Sequence, residues 1–401
     1  MPMRATKRGA QRTPLERDCD VLVCGASFAG LAIARELSGS GARVLVIDRY
    51  EIGERQTSAC AMPTVWLQAL ELMDSWRQSF DELTVHTPRR TVRWSLPWSF
   101  STFDYRELCA LLWGQAETPE IEFETATVTG RTDTTVHTDR GELTAPLIVD
   151  ALGWRRVLSD GERIQPPNAR LSRGLEVHPA GAAERMELWI DPRYVRAGYG
   201  WNFPAGEELR VGIGSFWPSH HVKEPTVRLA RDLRLEPDGY QGNWIPHQLR
   251  PAVEDGVFFV GDSAGHCLPL TAEGIRTALY FGLACGRELR AVIEGARTRE
   301  QALARYGAFS DSHERKYRWL LNVQRLVGQL TPSRAMTAAV RAYESRLLSH
   351  WTFAHYLAIA PPSFVGGAGD AKRTRAGRLT ERAASAAVRG HADHAPGAIS
   401  R

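Results

Sequence analysis

Residues 21–48 read VLVCGASFAGLAIARELSGSGARVLVID. An apolar run over 21–24 meets Gly25, a tight turn and Gly30; helical apolar spacing follows, and a second run, VLVI, ends at Asp48. Strand, helix and strand in so short a span form a βαβ unit. Its first turn aims backbone N–H groups and a helix N-terminus at one point, which suits a pyrophosphate, while an acid ending the second strand can accept a hydrogen bond from a ribose hydroxyl. The pattern places a dinucleotide on Gly25, Ala26, Ser27, Ala29 and Gly30, with Asp48 and Arg49 at the ribose. Ser27 stands where the fingerprint has its middle glycine, which narrows the space for the phosphates.

The remaining composition bounds what such a unit can belong to. A chain of 401 residues, 43% hydrophobic, is long enough for two or three domains around a large core. Its +4 charge comes almost wholly from arginines spread along its length, with four lysines in all, and no dense basic run marks a nucleic-acid surface. Six cysteines lie far apart, without CxxC or paired-His spacing, so neither a zinc site nor a disulfide framework is expected. That usage fits a reducing, cytoplasmic setting. No run is apolar enough to span a bilayer, and the first residues lack a secretory apolar core, so the expected protein is soluble or at most peripheral to a membrane.

Residues 1–17 and 364–401 are polar or rich in Gly, Ala and Arg, and are expected to be disordered. Between them, helical material is expected at 61–82, a polar-aromatic stretch at 90–103, a helix near 104–117 and strands near 121–150. Strand-like alternation in RMELWID, GYGWNFP and ELRVGIGSF suggests a second sheet, and a long helical region fills 273–360.

A second motif decides which dinucleotide is expected. Residues 257–275, VFFVGDSAGHCLPLTAEGI, form a buried strand, a Gly-Asp pair, a loop and a helix start. They resemble the GD motif of FAD-dependent oxidoreductases of the glutathione-reductase type. The resemblance implies FAD, with Gly261 and Asp262 at its ribityl chain and the backbone around Glu273, Gly274 and Ile275 against the flavin ring. Ala272 replaces a glycine usual in that family. Residues 143–156, LTAPLIVDALGWRR, resemble the segment returning to the FAD domain, with Leu152 in place of a second acid, so NADPH contact there is unsupported. In FDYRELCALL, Tyr105 takes the place of an arginine that such proteins set near the flavin. His266, inside the GD motif, is a candidate for the cofactor surroundings; His220 and His221 are expected at the surface, and no metal site is expected.

In GYGWNFPAG, residues 198–206, Tyr199, Trp201 and Phe203 occupy alternate positions of a strand and so share one face. From the residues alone this face is either core or a cavity wall. The stretch resembles the YxWxFP motif of geranylgeranyl reductases, which implies a substrate-binding wall of Tyr199, Trp201, Phe203 and Pro204. Cys60, in RQTSACAMP, matches the position of a cysteine in that family and implies, with Tyr199 and Trp201, the catalytic set; an inert buried thiol is the other reading.

The expected fold is therefore α/β: a Rossmann-like FAD-binding domain with a parallel sheet (18–165 and 250–300), a substrate domain with an antiparallel sheet (166–249) and a helical C-terminal region (301–363). The resemblance implies reduction of isoprenoid C=C bonds, with electrons from NAD(P)H or a ferredoxin. A flavin monooxygenase is the first alternative. A halogenase is disfavoured by the absence of lysine between Lys7 and Lys223, and a non-catalytic flavoprotein is the third. Large apolar residues interleaved with Arg and His between Arg318 and Pro361, including Trp319, Trp351 and Tyr356, suggest either packing or a lipid-facing surface.

Overall fold

Val21–Cys24 is buried on both faces in the computed structural model, as a central parallel strand with helices above and below must be. The structure describes residues 13–56, 58–160, 171–329 and 334–366. Val21–Cys24 pairs in parallel with Val44–Asp48 on one side and Leu147–Asp150 on the other. Ile121–Thr125 and Val257–Phe259 extend the parallel set, and Val253–Glu254 closes one edge antiparallel, giving six strands. The helix Phe28–Leu37 packs on this sheet and against Ile275–Ile293, which carries the chain away from the Gly-Asp turn.

An eight-stranded sheet stands beside it, in the order Gln241–Pro246, Leu171–Val177, Glu208–Ser215, Gly198–Ala205, Met186–Trp189, Trp76–Thr87, Arg90–Phe103 and Ala61–Pro63. Its neighbours are antiparallel except Met186–Trp189 with Trp76–Thr87. The helices Arg334–Ala342 and Arg346–Leu357 pack on the half of this sheet built from Arg90–Phe103. A four-stranded sheet holds Arg17–Asp18, Gly141–Thr144, Thr135–Thr138 and Val128–Thr132. Residues 361–366 belong to a separate unit and contain one 3-10 turn, Pro362–Phe364. Among the described residues no helix is long and apolar enough to cross a membrane.

Three expectations need correction. The helix expected over 61–82 is confined to Thr64–Ala69; Trp76–Thr87 is a strand whose Phe80, Leu83 and Val85 meet the apolar interior. It hairpins with Arg90–Phe103, so 61–63 and 76–103 join the substrate sheet rather than the dinucleotide sheet. In the N-terminal stretch expected to be disordered, residues 13–17 are ordered: Leu15 is buried, its N–H donates to Arg140 O at 2.7 Å, and Arg17–Asp18 adds to a sheet edge. Residues 1–12, 161–170 and 367–401, to which parts of the domain assignment refer, lie outside the described residues.

Candidate functional site

Both nucleotide motifs and the aromatic strand open onto one cavity of about 1910 Å³. Gly25 takes φ +114°, and a Cβ there would stand 2.3 Å from Ala151 O, so the turn requires glycine. Gly30 serves packing in the same way, since a Cβ would lie 1.8 Å from Gly25 O. Neither lines the cavity; Ala26, Ser27 and Ala29 do. The helix begins at Phe28 without a side-chain cap, leaving its first N–H groups toward the cavity. The Ser27 hydroxyl lies 3.3 Å from that of Tyr105. Asp48 accepts from Ala26 N–H at 2.9 Å and Tyr50 N–H at 3.1 Å, and both it and Arg49 reach the cavity.

A buried carboxylate locks the second motif in place. Asp150 accepts from Leu152 N–H (3.0 Å), Leu158 N–H (2.8 Å) and the Ser263 hydroxyl (2.6 Å), tying the returning segment to the Gly-Asp turn. Gly261, Asp262, Gly274 and Ile275 all line the cavity. Among the described residues nothing donates a hydrogen bond to the Asp262 carboxyl, and burial pushes its pKa up to about 6. An acceptor turned into a cavity with no donor fits a ligand hydroxyl. An uncapped helix start, Asp48 at the strand end and Asp262 together fit FAD. Glu273 is held by Arg276 through two hydrogen bonds of 2.7 Å, and Arg276 also donates to Leu357 O and Ala360 O. His266 is displaced from the expected cofactor surroundings: it is fully buried under the turn, stacks on Phe281 and accepts from Gly261 N–H at 3.2 Å.

The aromatic strand forms a wall, as its period of two predicts. Tyr199, Trp201 and Phe203 line the cavity with neighbouring ring centroids 6.1 and 6.5 Å apart, and the Tyr199 hydroxyl donates to Thr271 O at 2.5 Å. Pro204, expected in this wall, is buried off the cavity, and its carbonyl accepts from Thr102. The Trp201 indole lies over Gly212, where a Cβ would be 2.2 Å from its ring, and near Gly174 and Gly214. Its Nε1–H donates to Glu176 at 3.0 Å.

Glu176 opens a polar network that sequence reasoning missed. His178 bridges Glu176 (2.9 Å) and Glu208 (3.0 Å), and Arg210 donates to Glu208 and to the carbonyls of Ala59, Cys60 and Phe103. Burial alone would neutralise these groups; the mutual hydrogen bonds and charges win, so both carboxyls lie below their ordinary pKa and His178 above its own. E-x-H and E-x-R in two adjacent strands were the available signal. Cys60 lines the cavity in a left-handed backbone conformation, φ +51°; its thiol donates to Ser58 O at 3.1 Å, and burial raises its pKa well above normal. It is therefore a neutral thiol.

Beyond Trp201 the cavity continues between the far half of the sheet and the C-terminal helices. Trp94, Leu96, Phe100 and Leu188 line it from the sheet, and Met336, Val340 and Phe353 from the helices. Trp319 and Trp351, both exposed, stand at its rim.

No family model matches the chain. Along its length it is 24% identical over 335 residues to digeranylgeranylglycerophospholipid reductase 3 of Methanosphaera stadtmanae, covering 74% of this chain and 83% of that protein. In fold it is similar to a geranylgeranyl bacteriochlorophyll reductase-like protein of Thermoplasma acidophilum, with a TM-score of 0.75 over 88% of this chain and 99% of that one, at 18% identity. The chain has the fold of FAD-dependent oxidoreductases. PqsL, a probable FAD-dependent monooxygenase of Pseudomonas aeruginosa, shares it at a TM-score of 0.62 and 21% identity, over 81% of this chain and all (100%) of that one. An FAD-dependent oxidoreductase is thus the class in which the cavity's residues are to be read.

Proposed function

We propose that this protein reduces C=C bonds of an isoprenoid, geranylgeranyl-type chain. The observation that carries the reading is the shape of the one cavity: a dinucleotide end, an aromatic wall, and an arm lined by Trp94, Leu96, Leu188, Met336, Val340 and Phe353 with no charged group among them. At about 1910 Å³ it exceeds the ~300–1,000 Å³ of a single-ligand pocket and has room for a cofactor and a second molecule. Burial against such an arm holds a hydrocarbon by roughly 25 cal/mol per Å² without polar partners. The relatives' names support the same substrate class.

FAD bound by Ala26–Ala29, Asp48 and Asp262 would, when reduced, supply hydride to one alkene carbon. The chain's own part is positional: Trp201, fixed over Gly212 and tied to Glu176, and Tyr199, tied to Thr271, give the alkene a rigid surface and exclude water. Cys60 lies on the same wall as a further candidate for substrate contact. Electrons are proposed to come from NAD(P)H or a ferredoxin, and the exposed Trp319 and Trp351 to meet the membrane from which the lipid is drawn.

The test is anaerobic reduction of the purified flavoprotein followed by geranylgeranyl lipids and mass spectrometry. Products heavier by two hydrogens per bond are expected. Products that instead gain an oxygen atom in air would establish the monooxygenase.

A further inference from the structure

Reducing an alkene takes a proton as well as a hydride, and the structure assigns that proton to a path of this chain's own residues. We infer that Glu176 protonates the substrate in the cavity and is recharged through His178 and Glu208. The inference rests on the reductase reading above.

Glu176 belongs to the strand Leu171–Val177, next but one to the aromatic strand; the residue lines the cavity and its carboxylate accepts from the Trp201 indole N–H. His178 is wholly buried, with Nε2 2.9 Å from Glu176 and Nδ1 3.0 Å from Glu208. The Glu208 side chain is 21% exposed and does not line the cavity, so the path runs from outer solvent to cavity wall in two hydrogen-bonded steps. Among the described residues, the charged or titratable groups that face it include Arg210, which donates to Glu208, and Cys60, a neutral thiol; Gln241 also donates to Glu176. Burial works against the charged ring, but the hydrogen bonds and charges of two carboxylates around one imidazole outweigh it and favour the imidazolium.

Three other groups at the wall are held by neighbours, and a fourth lies away from the aromatic strand. Glu273 is fixed by Arg276, the Tyr199 hydroxyl and the Cys60 thiol each donate to a carbonyl, and Asp262 lies at the dinucleotide end. His247, 2.9 Å from the Ser172 hydroxyl, is the rival on the wall.

The Glu176 carboxylate is already buried, so a hydrocarbon filling the cavity beside it removes the last nearby polar surroundings and disfavours the charged pair against the neutral one. The Nε2 proton of His178 then passes to Glu176. The cofactor, when bound and reduced, would supply a hydrogen with its electron pair to one alkene carbon; as the π bond opens, the other carbon takes the Glu176 proton. Glu176 is left as carboxylate and the ring as the tautomer protonated on Nδ1; that proton moves to Nε2 by tautomer exchange, which frees Nδ1, the nitrogen facing Glu208, to take a proton from solvent through Glu208. Each turn thus adds two hydrogens, with two electrons from the flavin and one proton from water.

Two measurements on the flavoprotein test this. Nitrogen-15 NMR of histidine-labelled protein should show one imidazolium persisting above pH 7, shifted in E176Q and missing in H178N. Anaerobic single turnover with a geranylgeranyl lipid should slow by about 10²-fold or more in E176Q, while FAD retention and dithionite reduction stay as in wild type. The wild-type rate should fall as pH rises through the imidazolium's pKa, and H178N should lose that limb. If E176Q turns over within a few-fold of wild type, if no imidazolium persists, or if the limb survives in H178N and vanishes in H247N, the path is wrong while the reductase reading stands. If wild type itself adds no hydrogen to these lipids, both fall together.

Discussion

Gly212→Ala should displace the indole of Trp201 and press on the neighbouring strand at Glu176 without straining the dihedrals of residue 212 itself. Gly212 pairs with Trp201 in the antiparallel ladder, and its φ is not in the left-handed region, so the added methyl tests space alone. The new Cβ would stand 2.2 Å from Cζ2 and 2.4 Å from Cε2 of Trp201, and 2.8 Å from Cβ of Glu176. Contacts this short cannot persist, and the ring must lift. Forcing extra volume into a packed site costs about 1–3 kcal/mol, and losing the indole bond to a carboxylate adds about 1.5–3 kcal/mol. Exchanging glycine for alanine within a strand returns about 0.5–1 kcal/mol. The net expectation is a loss of about 2–5 kcal/mol, read as an earlier urea midpoint by tryptophan fluorescence. FAD retention should survive because Asp48 and Asp262 stand at a strand end and in a turn of the other sheet, while KM for a prenyl substrate should rise. A variant with unchanged midpoint and unchanged KM would show that Trp201 does not lie on the sheet as described.

Asp262→Asn should weaken FAD retention by about tenfold or more, since a charged acceptor is lost, as dialysis followed by flavin absorbance will show. In the FAD-free protein the same change has the opposite sign. The folded carboxyl, pushed up to about 6, binds a proton that the unfolded chain has released, so wild type loses stability as pH rises from about 4 through 6, on the order of 3 kcal/mol, and Asp262→Asn should abolish that slope. Ala272 adopts φ +53°, so Ala272→Gly should raise stability by about 1 kcal/mol in denaturant titration; a fall would contradict the strain. Trp319, Trp351 and Leu347 are 63%, 62% and 86% exposed, so wild type should float with anionic liposomes and the Trp319→Ser/Trp351→Ser double variant should not; wild type remaining in the soluble fraction would count against a lipid-facing role.

The dinucleotide sheet was legible because its strands are continuous apolar runs placed beside glycine turns, as burial on both faces demands. The hairpin 76–103 was not. Its strands mix charges with aromatics, and Pro97 reads as a breaker, yet Pro97 falls between the Phe80–Phe100 and Glu82–Ser95 pairs, where the ladder is interrupted and no N–H is missed. The aromatic wall could be read within one strand. Its floor could not, because Gly174, Gly212 and Gly214 come together only through the register of separate strands. The same register joins Glu176 and His178 to Glu208 and Arg210, and four unremarkable residues of the sequence become one network. Asp262 was legible as a motif residue, but its lack of a donor was visible only in three dimensions.

The eight-stranded sheet takes Ala61–Pro63 and the 76–103 hairpin before the chain has laid down Leu147–Asp150, and the rest after it. Each sheet is thus threaded through the other's sequence, and neither can be completed from a contiguous stretch of chain. A piece cut at 171–246 would carry the aromatic wall without the strands that flank it, leaving Met186–Trp189 an open edge where Trp76–Thr87 belongs. Many defining pairings also span more than a hundred positions, so loop closure precedes any reward from pairing and folding is expected to be slow. The two sheets should therefore melt as one cooperative body, and the protein's modules are units of geometry rather than pieces that could be exchanged between chains.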